Sequence, residues 1–129
     1  LFGWYLRKIG SISIKRNKVS KENLGFFDDI LKLTNSSNRP LIIFPQGTRL
    51  LPQDRIPFKK GVSKIYDKLK VSCQPIAINS GYTWPKNGLK KIGTTLTVSI
   101  LEPIEPGLDK EIFLNKLQNK IYSELNSLN

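Results

Sequence analysis

Along this chain the apolar residues recur with period two, in continuous runs, and at helical spacing by turns. Ile12 and Ile14 alternate with Ser11, Ser13 and Lys15, so the stretch Ile9–Arg16 is predicted to be a half-buried strand. Ser20 is placed to cap a helix that starts near Lys21, in which Leu24, Phe27, Ile30 and Leu31 recur at helical spacing until the polar run Thr34–Asn38 ends it. Pro40 then introduces Leu41-Ile42-Ile43-Phe44. With no polar alternation, this run predicts a strand covered on both faces. A polar loop from Leu51 to Lys60 holds Pro52 and Pro57, and Gly61–Lys70 is predicted as a short helix with Val62, Ile65, Tyr66 and Leu69 on one face. Gln74–Asn79 predicts a second buried strand, Ser80–Gly93 a loop. Thr94–Ile100 predicts an alternating strand with Leu96, Val98 and Ile100 on one side. Pro103 and Pro106 break the chain, and Asp109 caps a last helix with the apolar stripe Ile112, Phe113, Leu117, Ile121, Leu125 and Leu128. Strands alternating with helices predict one α/β domain over residues 1–129, a mostly buried mixed sheet flanked by helices.

Charge sharpens this picture. The 21 basic and 10 acidic side chains leave a net +11. Such an excess points to an anionic partner: nucleic acid, an acidic lipid surface or a phosphorylated substrate. A lysine-rich solvated surface is the plain alternative for most of these residues. No apolar run approaches the roughly 20 residues that span a bilayer, and no secretory signal is present. The chain has no methionine and begins at Leu1, so it is expected to start inside a longer domain. Cys73 is the sole cysteine, which rules out an internal disulfide. There is no histidine, so nothing of that type could activate Cys73 as a nucleophile, and it is expected to be a small buried side chain.

The segment with chemistry in it is Phe44-Pro45-Gln46-Gly47-Thr48-Arg49. A buried strand ends there, at the kind of edge where α/β proteins place ligands. Pro45 stops the ladder, and Gly47 lets the backbone turn tightly and approach a bound group. Thr48 offers a hydroxyl, and Arg49 a planar fork of donors suited to phosphate. A turn after a strand with an incidental arginine has the same local pattern.

The context of this hexapeptide resembles one family. Phe44–Arg49 is similar to the Phe-Pro-Glu-Gly-Thr-Arg signature of the 1-acylglycerol-3-phosphate (lysophosphatidic acid) acyltransferases. Gly10-Ser11-Ile12-Ser13-Ile14-Lys15-Arg16 resembles the family's Gly-x-x-x-Ile-x-Arg block before it. Pro57-Phe58-Lys59-Lys60-Gly61 resembles the Phe-Lys-x-Gly block after it, and Gln74-Pro75-Ile76-Ala77, followed by Asn79-Ser80-Gly81, the later Val-Pro-Ile/Val block. Four blocks in order are a strong signal where one would be weak. The resemblance implies an N-terminally truncated glycerolipid-acyltransferase-like fold. It further implies transfer of a fatty acyl group from acyl-CoA or acyl-carrier protein to a lysophospholipid hydroxyl, with lysophosphatidic acid giving phosphatidic acid. No metal or other cofactor is implied. The family's His-x-x-x-x-Asp pair, with histidine as general base, lies upstream of the first block, so no catalytic residue is expected in this chain. The implied acceptor-phosphate site comprises Arg49, Gly47, Thr48, Gln46, Lys59 and Arg16. Gln46 stands where the signature has glutamate. The amide keeps hydrogen-bonding capacity but removes a negative charge beside Arg49, so no role needing a carboxylate is assigned to it.

Lys59 also precedes a predicted helix, whose amino terminus favours anions. Phe58 is expected to plug the core, and the aromatic cluster Phe2, Trp4 and Tyr5 to pack against the segment expected upstream, with membrane-interface contact as the second reading. Tyr82 and Trp84 share a loop with Lys86, Lys90 and Lys91, a mixture that suits an anionic bilayer surface. The expected location is peripheral or monotopic at the cytoplasmic face of a bacterial inner membrane, with no nucleic acid as partner. The rival readings are a non-catalytic basic lipid- or nucleic-acid-binding module, and an acyltransferase of the same fold with another acceptor.

Overall fold

The computed structural model describes residues 2–11, 24–37 and 39–128 and divides into two compact units, 1–42 and 43–129. The first holds α1 (Phe2–Lys8) and α2 (Leu24–Ser36). α1 lies where the aromatic cluster gave no periodicity to read. It ends at Gly10, whose φ of 80° is the left-handed conformation that closes helices. The Ser11 N–H donates back to the Leu6 carbonyl at 2.9 Å, the long bond of a Schellman turn. Gly10 therefore ends a helix, and residues 9–11 form this turn and not a strand. The rest of the predicted first strand, Arg16 and the Ser20 cap lie outside the described residues. α2 buries Ile30, and hydroxyls close its end: Thr34 Oγ donates to the Ile30 carbonyl and Ser37 Oγ to that of Leu33, both at 2.8 Å.

The second unit is built from α3 (Gly61–Leu69), β1 (Ile76–Ile78), α4 (Ser80–Thr83), β2 (Val98–Ile100) and α5 (Lys110–Ser127). α5 packs across α3 and β1. The predicted stripes meet there: Val62 and Tyr66 of α3 join Phe113, Leu117 and Ile121 of α5, with Phe58, Ala77 and Ile104 closing the core. The Tyr66 and Phe113 rings stack at 3.7 Å, and the Tyr66 hydroxyl donates to the Glu105 carbonyl. Burying a side chain such as Phe113 stabilises the fold by about 1.5–3 kcal/mol. Asp109 caps α5 as predicted, its carboxylate accepting from the Glu111 N–H at 2.8 Å. Asp67 lies 2.6 Å from Lys70 Nζ and 3.4 Å from Lys110 Nζ. The hydrogen bond from Lys70 holds its carboxyl below the usual range. Being exposed, this cluster adds little stability. Ile112, assigned to the apolar stripe, is exposed, and Tyr122, further along α5, faces inward instead.

The sheet departs most from expectation. Among the described residues it is two antiparallel strands, with Ile76 opposite Ile100, Ala77 opposite Ser99 and Ile78 opposite Val98. A bridge between Cys73 and Ile104 extends the pairing, with three residues on one side facing two on the other. That bulge falls at Pro103, which has no N–H for the ladder. The sheet is not mostly buried. Ala77 faces the core, while Ile76, Ile78, Leu96, Val98 and Ile100 are exposed. The alternation of β2 was read correctly, but its apolar side turns outward. The run Leu41–Phe44 forms no strand either: Ile42 and Phe44 are 77% and 78% exposed, and only Ile43 packs on the core. A continuous apolar run fixes the polarity of its surroundings, not the segment that supplies them, and no described residue pairs with it. Among the described residues no helix is long and apolar enough to cross a membrane.

Candidate functional site

The turn after Phe44 is set by two backbone bonds. Gly47 N–H donates to the Phe44 carbonyl at 3.0 Å, and Lys59 N–H donates to the Pro45 carbonyl at 2.9 Å. The second bond closes the intervening loop and pins Lys59 beside the turn. Gly47 has φ 70°, a conformation that disfavours any residue with a Cβ. It also gives room to its neighbour, because a Cβ there would stand 3.4 Å from Lys59 Cγ and 3.6 Å from Cε. Two residues singled out from separate sequence blocks, Gly47 and Lys59, are thus brought into contact.

Behind the turn stands α5. Gln46 Nε2 donates to the Tyr122 hydroxyl at 3.5 Å, the long limit of such a bond. That hydroxyl donates in turn to the Ile56 carbonyl at 2.6 Å. Gln118 Oε1 accepts the Phe58 N–H at 2.8 Å, and the Phe58 ring meets Tyr122 edge to face at 5.0 Å. The Arg55 guanidinium lies over the Tyr122 ring at 5.3 Å, and donates to the Pro52 carbonyl and to Asn126 Oδ1. Gln46 therefore faces inward as a structural amide. Phe58 is buried, as expected of a core plug.

The outward side is basic. Thr48 and Arg49 are exposed, and the Thr48 hydroxyl reaches only the Arg49 carbonyl, at 3.5 Å. The Arg49 guanidinium lies 6.0 Å from the Trp84 ring centre, and Lys90 Nζ lies 4.1 Å from the same ring. α4 comes close to the motif loop at Gly81, where a Cβ would stand 3.2 Å from Pro52 Cγ. Two of the four sequence blocks therefore meet, the turn and the Lys59 segment, and the Asn79–Gly81 corner comes against the loop between them at Pro52. Asn79 fixes that corner by accepting the Thr97 N–H on Oδ1 at 2.7 Å. Gly47, Thr48, Arg49, Gln46 and Lys59 are gathered within this unit. Arg16 lies outside the described residues. Tyr122, Gln118 and Trp84 were missed as supports of the site. Gln118 and Tyr122 lie four residues apart, on one helix face, which is a signal of spacing but not of role. Cys73 is half-buried, and burial pushes its thiol up, away from the thiolate that a nucleophile needs.

A turn with a glycine at positive φ thus sets a lysine, pinned through its backbone, beside the segment that carries the exposed Arg49, and two such cations have the chemistry to hold an anion. The acyltransferase family model matches residues 1–79, well over half of the chain, and the chain belongs to that family. It is similar to the 1-acyl-sn-glycerol-3-phosphate acyltransferases of Helicobacter pylori (29% identical over 95% of the chain), Pseudomonas aeruginosa (31% over 77%) and Cocos nucifera (31% over 60%). The chain spans 52%, 38% and 25% of the lengths of these relatives. No solved structure matches it.

Proposed function

We propose that this chain forms the acceptor-phosphate side of an acyltransferase that converts 1-acylglycerol-3-phosphate to phosphatidic acid in phospholipid biosynthesis. The donor is a fatty acyl thioester of coenzyme A or acyl-carrier protein. A general base removes the proton of the acceptor hydroxyl, and its oxygen attacks the thioester carbonyl. The new C–O ester bond forms as the C–S bond breaks, and the thiol leaves carrying a proton. With no histidine among its 129 residues, the chain leaves the base of the His-x-x-x-x-Asp type to be supplied from elsewhere in the enzyme. In this reading residues 1–129 are the downstream part of one acyltransferase domain. The 129 residues by themselves carry out no acyl transfer.

One observation supports the assignment above others: the Lys59 stem runs across Gly47 in the turn that presents Arg49. An ammonium and a guanidinium are thereby held on one corner without a carboxylate in the signature, since Gln46 is neutral. Arg49 grips two phosphate oxygens, and Lys59 supplies a point charge. The four sequence blocks and the names of the relatives point the same way. The surplus of basic residues suits peripheral or monotopic attachment to an anionic membrane, at the cytoplasmic face of a bacterial inner membrane.

The test is kinetic, on the full-length gene product. Hydrogen bonds to a charged partner contribute about 1.5–3 kcal/mol, so Arg49→Ala lowers kcat/KM for lysophosphatidic acid roughly ten- to a hundredfold. Arg49→Lys recovers part of it, and the donor's apparent affinity changes much less. Normal use of the acceptor with loss of the donor would move Arg49 to the donor site.

A further inference from the structure

Between α4 and β2 the chain makes an excursion whose composition does not suit a solvated loop. Leu89 and Ile92 are 90% and 100% exposed, Trp84 is more than half exposed, and Lys86, Lys90 and Lys91 stand among them. The base of the loop is tied: Lys91 N–H donates to the Thr83 carbonyl at 2.9 Å, and the Thr94 hydroxyl bonds to that of Thr83 at 3.0 Å. Gly88 and Gly93, with φ of 113° and 78°, make the bends between. The loop is thus tied at its base and displays apolar side chains among ammonium groups.

We propose that this loop, residues 84–93, docks the protein on an anionic lipid bilayer, with Leu89 and Ile92 entering the headgroup–acyl boundary and Lys86, Lys90 and Lys91 resting on lipid phosphates. Aliphatic side chains gain by leaving water, and lysines gain from the negative surface potential of such a leaflet. Nucleic acid is a poorer occupant, because bases stack on aromatic faces, and the loop's one aromatic ring, Trp84, already has Lys90 over it while its most exposed side chains, Leu89 and Ile92, are aliphatic. A second copy is poorer still, since it brings another +11 to a surface already crowded with lysine.

Contact with the phosphate corner follows from Trp84. Its ring lies 4.1 Å from Lys90 Nζ and 6.0 Å from the Arg49 guanidinium. The loop therefore sets Arg49 at headgroup level, where a lysophospholipid arrives sideways from the leaflet without leaving it. This consequence rests on the acyltransferase reading; the docking itself does not.

The experiment uses the 129-residue chain with Trp4→Phe, which leaves Trp84 as its one tryptophan. It is mixed with vesicles of phosphatidylcholine containing phosphatidylglycerol, and of phosphatidylcholine alone. Brominated acyl chains are expected to quench Trp84 on the anionic vesicles. Leu89→Ser with Ile92→Ser is expected to weaken vesicle binding about tenfold. Replacing Lys86, Lys90 and Lys91 by Gln is expected to weaken it about a hundredfold at low salt and much less at high salt. Bound protein with unquenched Trp84 would overturn the proposal, because another surface would then carry the binding. So would absence of binding to anionic vesicles, or retention on a single-stranded oligonucleotide instead. The quenching arm decides even if a loop variant misfolds. In the full-length gene product, turnover of a short-chain lysophosphatidate in solution reads the reaction separately. The Leu89/Ile92 double variant is expected to keep that turnover while losing vesicles. Loss of Arg49-dependent turnover with vesicle binding intact would strike the reaction reading alone.

Discussion

The two sides of the second unit obey their sequence to different degrees. On one side α3 and α5 pack through the residues that their spacing names, with Val62, Tyr66, Phe113 and Leu117 inside and lysines outside. On the other, β1 and β2 turn Ile76, Ile78, Val98 and Ile100 to the outside and keep a small residue, Ala77, on the core. A helix satisfies its own backbone, so its apolar stripe needs one packing surface, and α3 and α5 supply each other's. A strand pair has two faces, and its pattern states only that residues differ in facing. Which face is covered depends on segments beyond the pair. The lesson concerns the site as well, because Gln46 and Phe58 beside the turn lean on α5, while Arg49 and Trp84 are exposed.

The sharpest way to break this contrast is to attack the helical side. Phe113 is fully buried and stacked on Tyr66. Phe113→Ala should cost about 3–5 kcal/mol, through lost transfer energy and the cavity left behind. That is a large share of the roughly 5–15 kcal/mol that holds a domain folded. Urea unfolding of the two proteins should show the midpoint collapse. A midpoint nearly unchanged would mean that α5 does not hold the unit together, and the comparison would lose its firm half.

A smaller effect probes where the two sides meet. Gly47→Ala puts a Cβ on a residue at φ 70° and against the Lys59 stem. The left-handed conformation should cost about 1–2 kcal/mol, while the flexible lysine gives way. Gly47→Asn should recover part of this, since asparagine tolerates that region. Thermal and urea unfolding measure both. An alanine variant as stable as the wild type would show that the turn relaxes to negative φ, and the fixed corner beneath Arg49 would be gone.

Much of this was legible from residue types alone. Asp109 before a periodic stripe names a capped helix, Gly47 after an apolar run names a turn, and Phe58 and Val62 name core. The supports of the site were not legible. Tyr122 and Gln118 sit on the inward face of α5, yet a hydroxyl and an amide carry no sign that their partners are Ile56, Gln46 and the Phe58 N–H. The contact of Arg49 with Trp84 links positions that only the fold brings near. Leu41–Phe44 misleads for the reason β1 and β2 do: hydrophobicity is not burial, and of that run only Ile43 packs on the core.

The smallest expected effect bears on the outward sheet face itself. Ile100 is 72% exposed and pairs with Ile76 across the strands. Ile100→Thr keeps the β-branched shape that suits a strand and replaces the ethyl branch with a hydroxyl. With the side chain in water, no cavity forms and no polar group is buried. The change in stability should stay within about 0.5 kcal/mol. Urea unfolding at two protein concentrations is the measurement. A cost of a few kcal/mol would mean that the face is covered in solution. If that cost also grew with protein concentration, the cover would be a second copy, because only association makes unfolding depend on the amount of protein present. A cost independent of concentration would place the cover within the same chain, and the contrast between the two sides would then be one of distance along the chain and not of exposure.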